Sequence, residues 1–235
     1  MVEIGGRPIL WHIMKIYAHY GYKDFILALG YKGDIIRDYF LNYHTYNNDF
    51  TVNLGKQNGI EIYGNHDEHD WKVTLAETGK ESMTGYRVKL CEKFIEGDNF
   101  MLTYGDAVAN VNINKLVSLH KNKGTIGTVT GVYPPSRFGD IIAKDDQVEE
   151  FHEKTKNLER QQPINGGFFV FKKEFFSKIP DSPDCDLERK PISTITDENQ
   201  LSIYHHYGFW HCMDTYRDYL QLNEMWDENP IWKKW

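Results

Sequence analysis

The fold class is decided by the stretch FILALGYKGDIIRDYF at residues 25–40. It opens with a short, nearly all-apolar run that Gly30 closes, and such a run is typical of a parallel strand buried on both faces. A helix is predicted next, from about Gly33 to Tyr43, because apolar residues recur there at helical spacing. A strand that leads into a helix predicts a right-handed crossover to a parallel neighbour. We therefore expect an α/β protein with a Rossmann-like sheet, mixed but mostly parallel, flanked by helices.

The same alternation continues on both sides of this stretch. Upstream, apolar residues at helical spacing predict a helix between Pro8 and Gly21. Further strands are predicted at about 72–75, 100–104, 126–133, 138–143, 147–152, 164–171 and 201–207. Further helices are predicted at about 82–94, 112–122, 173–179, 187–197 and 215–227, the second of them with Asn112 as its cap and Gly124 as its stop. We expect one domain over residues 1–235.

Two segments depart from this alternation. Residues 44–70 are polar and predict a small β excursion, in which Ile60–Tyr63 alternates like an edge strand. Residues 228–235 form an aromatic tail, and we expect its aromatic side chains to be exposed.

Composition excludes several classes of protein. Apolar residues make up 40% and charged residues 26%, which is ordinary for a soluble globular protein. The formal charge of -7 argues against a nonspecific nucleic-acid partner, because such binding needs a basic surface. No signal peptide or membrane span is predicted, so we expect no membrane partner. The three cysteines form no CxxC pair, which favours a reducing cytoplasm over a disulfide or zinc framework.

Two carboxylates stand where ligands gather in an open α/β sheet. Asp106 follows a short apolar strand and a glycine, and Asp214 lies between a predicted strand and a helix. Such a pair would suit Mg²⁺, which takes few carboxylates together with phosphate oxygens. Other interpretations stay open at this point, because Gly105-Asp106 also fits a plain turn and Asp214 also fits a helix N-cap.

Three further patterns are weaker. Asn165-Gly-Gly167 places two glycines at the entry to an apolar strand, which indicates either a β-bulge or a ligand close to the backbone. Glu153-Lys154 ends another strand and offers one cation for a phosphate, although such pairs are usually solvated. The histidines at 205 and 206 would point to opposite faces of a strand, so they cannot share one metal ion without distortion.

In their order along the chain, a set of short segments resembles the sugar-nucleotide pyrophosphorylases over nearly the whole sequence. The segments are residues 1–16, Gly30-Tyr-Lys-Gly33, residues 71–75, Thr78-Gly79, Ser82-Met-Thr-Gly85, Thr103-Tyr-Gly-Asp106, residues 134–139, residues 165–169, Gly208-Phe-Trp210, Met213-Asp-Thr215 and residues 232–235. Within that family the match is closest to enzymes that use CTP and glucose 1-phosphate.

The resemblance implies a reaction in which glucose 1-phosphate attacks the α-phosphate of CTP while Mg²⁺ neutralises the phosphates. It also implies a homo-oligomer, to which aromatic residues of the excursion and the tail would contribute. By match to the family motifs, the implied site residues are the metal ligands Asp106 and Asp214, the phosphate cation Lys154, the sugar contacts Glu153, Asn165, Gly139 and Gly166, the base and ribose contacts Thr78, Gly79, Thr84, Gly85 and Arg87, and the neighbouring Tyr104 and Gly105.

Two departures from the family pattern affect these expectations. Tyr86 stands where the family usually has a second glycine, which leaves the choice of nucleotide base open. Family members also carry a strand and a Gly-Gly-x-Gly-Thr-Arg loop before the matched region, followed by a Pro-Lys; the printed sequence lacks them, so we expect it to be incomplete. The alternatives are a sibling enzyme that uses dTTP or UTP and a noncatalytic subunit that has lost the phosphate loop.

Overall fold

The computed structural model describes residues 1–56, 59–134, 140–152 and 162–235. Its α-helices are α1 (Ile9–His19), α2 (Gly33–Leu41), α3 (Tyr43–Asn47), α4 (Thr84–Cys91), α5 (Ile113–Lys123), α6 (Ser193–Asp197) and α7 (Tyr216–Glu228). Its strands are β1 (Glu3–Ile4), β2 (Arg7–Pro8), β3 (Asp24–Leu29), β4 (Asp49–Val52), β5 (Ile60–Tyr63), β6 (Lys72–Glu77), β7 (Asn99–Thr103), β8 (Ala107–Ala109), β9 (Gly127–Val132), β10 (Asp140–Lys144), β11 (Gln147–His152), β12 (Ile164–Lys172), β13 (Leu201–His206) and β14 (Trp210–Cys212).

Backbone contacts divide the chain into two compact units. The first unit comprises Met1, Gly21–Asp98 and Lys173–Glu198, and the second unit comprises Val2–Tyr20, Asn99–Lys172 and Asn199–Trp235. The single domain expected over residues 1–235 stays a prediction. Among the described helices, none combines the length and the apolar character that a membrane crossing requires.

The first unit contains the parallel pair that the opening stretch predicts. β3 and β6 run parallel, with Phe25 opposite Val73 and Leu29 opposite Glu77. The expected burial of β3 on both faces is wrong, because Leu29 is buried whereas Ala28 is exposed. Within the described residues β3 and β6 form a two-stranded sheet, and so narrow a sheet leaves more of each strand open to solvent than a wide one.

The second unit is built on a four-stranded sheet in the order β13-β9-β12-β7. β13 is parallel to β9, whereas β12 is antiparallel to both β9 and β7. The expected predominance of parallel pairing is therefore wrong for the described strands, where β3–β6 and β9–β13 are the parallel pairs. Parallel neighbours need a long crossover, usually a helix, but the described chain between β9 and β12 contains the antiparallel hairpin β10–β11 instead.

The core of the second unit is aromatic. Phe168, Phe169 and Phe171 on β12 are at most 1% exposed, and Tyr17 of α1 stacks on Phe168 with ring centroids 6.0 Å apart. Each buried ring of this kind stabilises the fold by about 2 to 3 kcal/mol. The sheet and α1 thus share one aromatic core.

The residues that begin and end α5 were predicted correctly. The side chain of Asn112 accepts a hydrogen bond from the Lys115 N–H at 3.0 Å, and Gly124 ends the helix in the left-handed conformation with φ of 67°.

The aromatic tail is packed against its own unit rather than exposed. Trp232 is fully buried, and its indole Nε1–H donates to Nδ1 of His12 at 3.4 Å. Nε2 of His12 donates in turn to the Ile4 carbonyl at 2.9 Å, so the histidine is held as a neutral imidazole. Burial lowers the pKa of His12 to about 4. The expectation of exposed tail aromatics is therefore wrong for Trp232. The sequence could not show it, because the hydrogen bond joins residues more than two hundred positions apart.

Candidate active site

Asp106 and Asp214 are brought together by a short strand pair in the second unit. Asp106 directly precedes β8, and Asp214 lies two residues beyond β14. β8 and β14 are antiparallel, with Ala107 opposite Cys212, and the Met213 N–H donates to the Asp106 carbonyl at 2.8 Å. The expectation that these carboxylates share one site therefore has a structural basis in a specific strand register.

The two carboxylates influence each other electrostatically. Enclosure of its carboxyl and, second, the negative charge of Asp214 raise the pKa of Asp106 above the ordinary value. Among the described residues, no three His, Cys, Asp or Glu side chains are arranged to hold a metal ion. A pair of repelling carboxylates nevertheless fits a hard divalent cation that takes its remaining ligands from phosphates and water. A cation held by the two carboxylates can therefore neutralise the charge of a phosphorylated ligand.

Asp214 is not the helix cap that the sequence left as an alternative. Thr215 caps α7: its hydroxyl accepts from the Asp218 N–H at 3.2 Å, and the Asp218 carboxylate accepts from the Thr215 N–H at 2.9 Å. The Asp214 carboxylate instead accepts from the thiol of Cys212 at 3.2 Å and stays exposed. The Asp214 carboxylate therefore makes no capping hydrogen bond to α7.

A second cluster of predicted residues lies at the entry to β12. Nδ2 of Asn165 donates to the hydroxyl of Tyr104 at 3.1 Å, and Oδ1 of Asn165 accepts from the Gly167 N–H at 2.9 Å. The β12–β9 register shifts here, so the bulge interpretation is confirmed. Gly167 has φ of +76°, and a Cβ there would lie 2.7 Å from the Tyr104 ring. The Gly166 carbonyl accepts from the indole of Trp210 at 2.8 Å.

The predicted base-side residues belong to the first unit, and Arg87 organises them. Nη1 of Arg87 donates to the Thr78 hydroxyl and to the Gly79 carbonyl, both at 2.8 Å, and Nη2 donates to the Lys80 carbonyl at 3.1 Å. Thr78 is buried and donates its own hydroxyl to the Leu29 carbonyl at 2.7 Å. Arg87 and Thr78 thus hold the 78–80 loop in place, and direct contact of either with a substrate stays a prediction.

The start of α4 is covered by residues 183–187 of the same unit. The Leu187 N–H donates to the Thr84 hydroxyl at 3.0 Å, and the Tyr86 N–H donates to the Cys185 carbonyl at 3.2 Å. A Cβ on Gly85 would lie 2.8 Å from Sγ of Cys185. Packing therefore explains Gly85, and the substrate roles of Thr84 and Gly85 stay predictions.

Three of the predicted site residues fall outside the described part of the chain, and one residue near the site was not predicted. Gly139, Glu153 and Lys154 lie outside the described residues, so their roles stay predictions. Gly105 is exposed immediately before Asp106. Asp218 was not predicted as a site residue, although its position three residues after Thr215 is the signature of a capping box.

The amino-acid sequence is similar to a known protein family and to named relatives. The sequence profile of the family described as "Nucleotidyl transferase" matches residues 1–229. A Bacillus subtilis protein named "Probable glucose-1-phosphate cytidylyltransferase" is 40% identical over 100% of this chain and 91% of its own length. The glucose-1-phosphate cytidylyltransferase of Salmonella typhimurium is 41% identical over 100% and 90%.

The fold is shared with solved structures of much lower identity. The UDP-glucose pyrophosphorylase of Acinetobacter baumannii superposes with a TM-score of 0.66 at 12% identity, covering 98% of this chain and 87% of that one. This similarity confirms the Rossmann-like α/β class that the sequence predicts. The family match over residues 1–229 shows that the chain belongs to the nucleotidyl transferase family.

Proposed function

We propose that the chain transfers a cytidylyl group from CTP to α-D-glucose 1-phosphate, which gives CDP-glucose and pyrophosphate. The observation that carries the proposal is the β8–β14 pairing that joins Asp106 to Asp214. It occurs in a chain that is 41% identical, over its whole length, to a relative named for that activity.

In this reaction an oxygen of the sugar phosphate attacks the α-phosphorus of CTP in line. A new O–P bond forms, the bond to the bridging oxygen breaks, and its electron pair leaves with pyrophosphate. Mg²⁺, when bound, would neutralise the charge on the phosphate oxygens. Asp106 and Asp214 would hold it, since their repulsion favours a cation between them. The remaining work of the protein is to position the reacting oxygen.

We place the sugar at the entry to β12. The exposed amide of Asn165 is oriented by its bonds to Tyr104 and Gly167, which suits it to bind sugar hydroxyls. Gly166, on the same bulge, is proposed as a further sugar contact, and Lys154 would neutralise the sugar phosphate. We place the base and ribose beside the 78–80 loop, whose shape Arg87 fixes.

The test is a nucleotide panel with glucose 1-phosphate and Mg²⁺, followed by pyrophosphate release. We expect kcat/KM with CTP to exceed that with UTP or dTTP by about a hundredfold, because a site that pairs with a base edge rejects analogues that leave its groups unpaired. Preference for UTP or dTTP would instead identify a sibling enzyme. Absence of release with every nucleotide would favour a noncatalytic subunit.

We also propose that the chain forms homo-oligomers through one face of the β4–β5 hairpin. Phe50 lies opposite Ile62 and Val52 opposite Ile60, so these four side chains share one face. They are 39 to 54% exposed, and a two-stranded hairpin has little stability unless such a face is covered. A second copy of the chain is the partner that we propose for this face.

Phe50→Lys is expected to weaken that self-association by about tenfold or more, because it places a charge at the centre of an apolar contact. Thr51→Lys is the matched control, since Thr51 lies on the opposite face of the same strand beside Glu61. Light scattering after size-exclusion chromatography measures both variants. A monomeric wild type, or equal dissociation of the two variants, would contradict the proposal.

We propose a cytoplasmic location for this reaction. Cys91, Cys185 and Cys212 form no disulfide bond within the described part of the chain, which fits a reducing compartment.

A further inference from the structure

Asp218, in the first turn of α7, has more hydrogen-bond partners than a helix cap requires. Its side chain is buried, with the residue 4% exposed. Oδ2 accepts from the Thr215 N–H at 2.9 Å, from the Thr215 hydroxyl at 2.7 Å and from the Asp214 N–H at 3.3 Å. Oδ1 lies 3.3 Å from Nε2 of His211.

These contacts join three elements of the second unit. His211 lies on β14, Asp214 lies on the loop after it, and Asp218 lies on α7. An ordinary capping box satisfies only the helix end, through the pair Thr215 and Asp218. The additional bonds to the Asp214 amide and the His211 ring fix the path of the chain between the strand and the helix.

The path of this loop determines where the Asp214 carboxylate lies. The Met213 N–H is already held by the Asp106 carbonyl, so the loop is anchored on the Asp106 side. Asp218 anchors it on the other side, one peptide beyond, through the Asp214 N–H. Through the Asp214 and Thr215 N–H groups, Asp218 holds both peptides that flank the Cα of Asp214, and this sets the Cα–Cβ direction of Asp214. From this position the negative charge of Asp214 acts on Asp106.

We propose that Asp218 is a positioning residue that acts through Asp214 to preorganise the two-carboxylate cation site. The inference rests on the proposed role of Asp106 and Asp214 as cation ligands. Groups that orient metal ligands in this way typically change metal affinity by about ten- to a hundredfold when they are lost. A residue that only caps α7 would change stability and leave cation affinity unaltered.

The experiment measures Mn²⁺ binding to the whole protein by electron paramagnetic resonance of the free ion. Asp218→Ala is expected to raise the half-saturating Mn²⁺ concentration by about tenfold or more. Asp218→Asn keeps one acceptor oxygen and is expected to lie between the wild type and the alanine variant. Asn112→Ala is the matched control, because it removes the cap of α5 in the same unit and should leave Mn²⁺ binding unchanged.

Steady-state kinetics provide a second test, because a residue with a purely structural role would not change the Mg²⁺ concentration that the enzyme requires. In Asp218→Ala we expect the half-saturating Mg²⁺ concentration for turnover to rise, while KM for glucose 1-phosphate at saturating Mg²⁺ stays unchanged. Thermal unfolding of Asp218→Ala and Asn112→Ala shows whether the two variants lose comparable stability.

The outcomes separate this inference from the proposed function. Equal Mn²⁺ binding by the wild type and Asp106→Asn would overturn the cation site itself, and the role of Asp218 with it. Mn²⁺ binding that depends on Asp106 but is the same in Asp218→Ala as in the wild type would overturn the role of Asp218 alone. If Asp218→Ala does not fold, Asp218→Asn decides, and an unchanged half-saturation in that variant overturns the proposal.

Discussion

Asp106→Asn is expected to lower kcat for nucleotidyl transfer by about a hundred- to a thousandfold with the fold intact. The substitution keeps the size of the side chain and removes one of the two charges that meet at β8 and β14. Enclosure of the Asp106 carboxyl and, second, the negative charge of Asp214 raise the pKa of Asp106. With asparagine in place, the cation that balances the phosphates would have one charged ligand instead of two. The measurement is kcat at saturating CTP, glucose 1-phosphate and Mg²⁺.

Asp145→Asn is the matched control for that variant. Asp145 lies in the turn between β10 and β11 with φ of 50°, a conformation that asparagine also adopts readily. It belongs to the same unit as Asp106, and the substitution is chemically identical. Unchanged turnover in Asp106→Asn, or an equal loss in Asp145→Asn, would remove Asp106 from the proposed cation site.

Acidification from pH 7 to pH 4 is expected to reduce the free energy of unfolding by about 3 kcal/mol through His12 alone. Burial lowers the pKa of His12 from 6.5 to about 4 in the folded protein. The unfolded chain therefore takes up a proton near pH 6.5, whereas the folded chain does so only near pH 4. The stabilising contribution is complete above pH 6.5 and is lost progressively as the pH falls through this window.

The measurement is denaturant unfolding of the wild type and His12→Gln across that pH range. The variant lacks the titrating ring, so its unfolding free energy should depend less on pH even if it is less stable at pH 7. His19→Gln is the control, because His19 is exposed on the same helix. A pH dependence in His12→Gln as steep as that of the wild type would contradict the assignment.

Short sequence patterns correctly predicted the helices whose boundaries or periodicity depend on neighbouring residues. The Asn112 cap, the Gly124 stop and the helical periodicity of residues 9–19 are each encoded by a few neighbouring residues, and each was predicted correctly. The short strands β8 and β14 were missed because three residues are too few for a periodic pattern. Their pairing depends on backbone hydrogen bonds between distant segments, which no local pattern reports.

In the candidate site, too, the positions of single residues could be predicted, whereas their arrangement in space could not. Asp106 and Asp214 could be singled out because each follows a strand, but the sequence could not show that they meet. Their proximity follows from the register of Ala107 opposite Cys212. Nor could the sequence show that Arg87 holds the 78–80 loop, through its bonds to the Thr78 hydroxyl and to the Gly79 and Lys80 carbonyls. Such bonds depend on the three-dimensional arrangement, which no local pattern reports.

The β8–β14 pairing also determines when the site forms. Its two strands lie about one hundred residues apart in the chain, so their contact raises the contact order and requires the closure of a large loop. During synthesis the Asp106 strand leaves the ribosome long before residues 210–228 exist. The nascent chain must therefore carry its first carboxylate unpaired until α7 has been made, and the cation site assembles only after that helix is available.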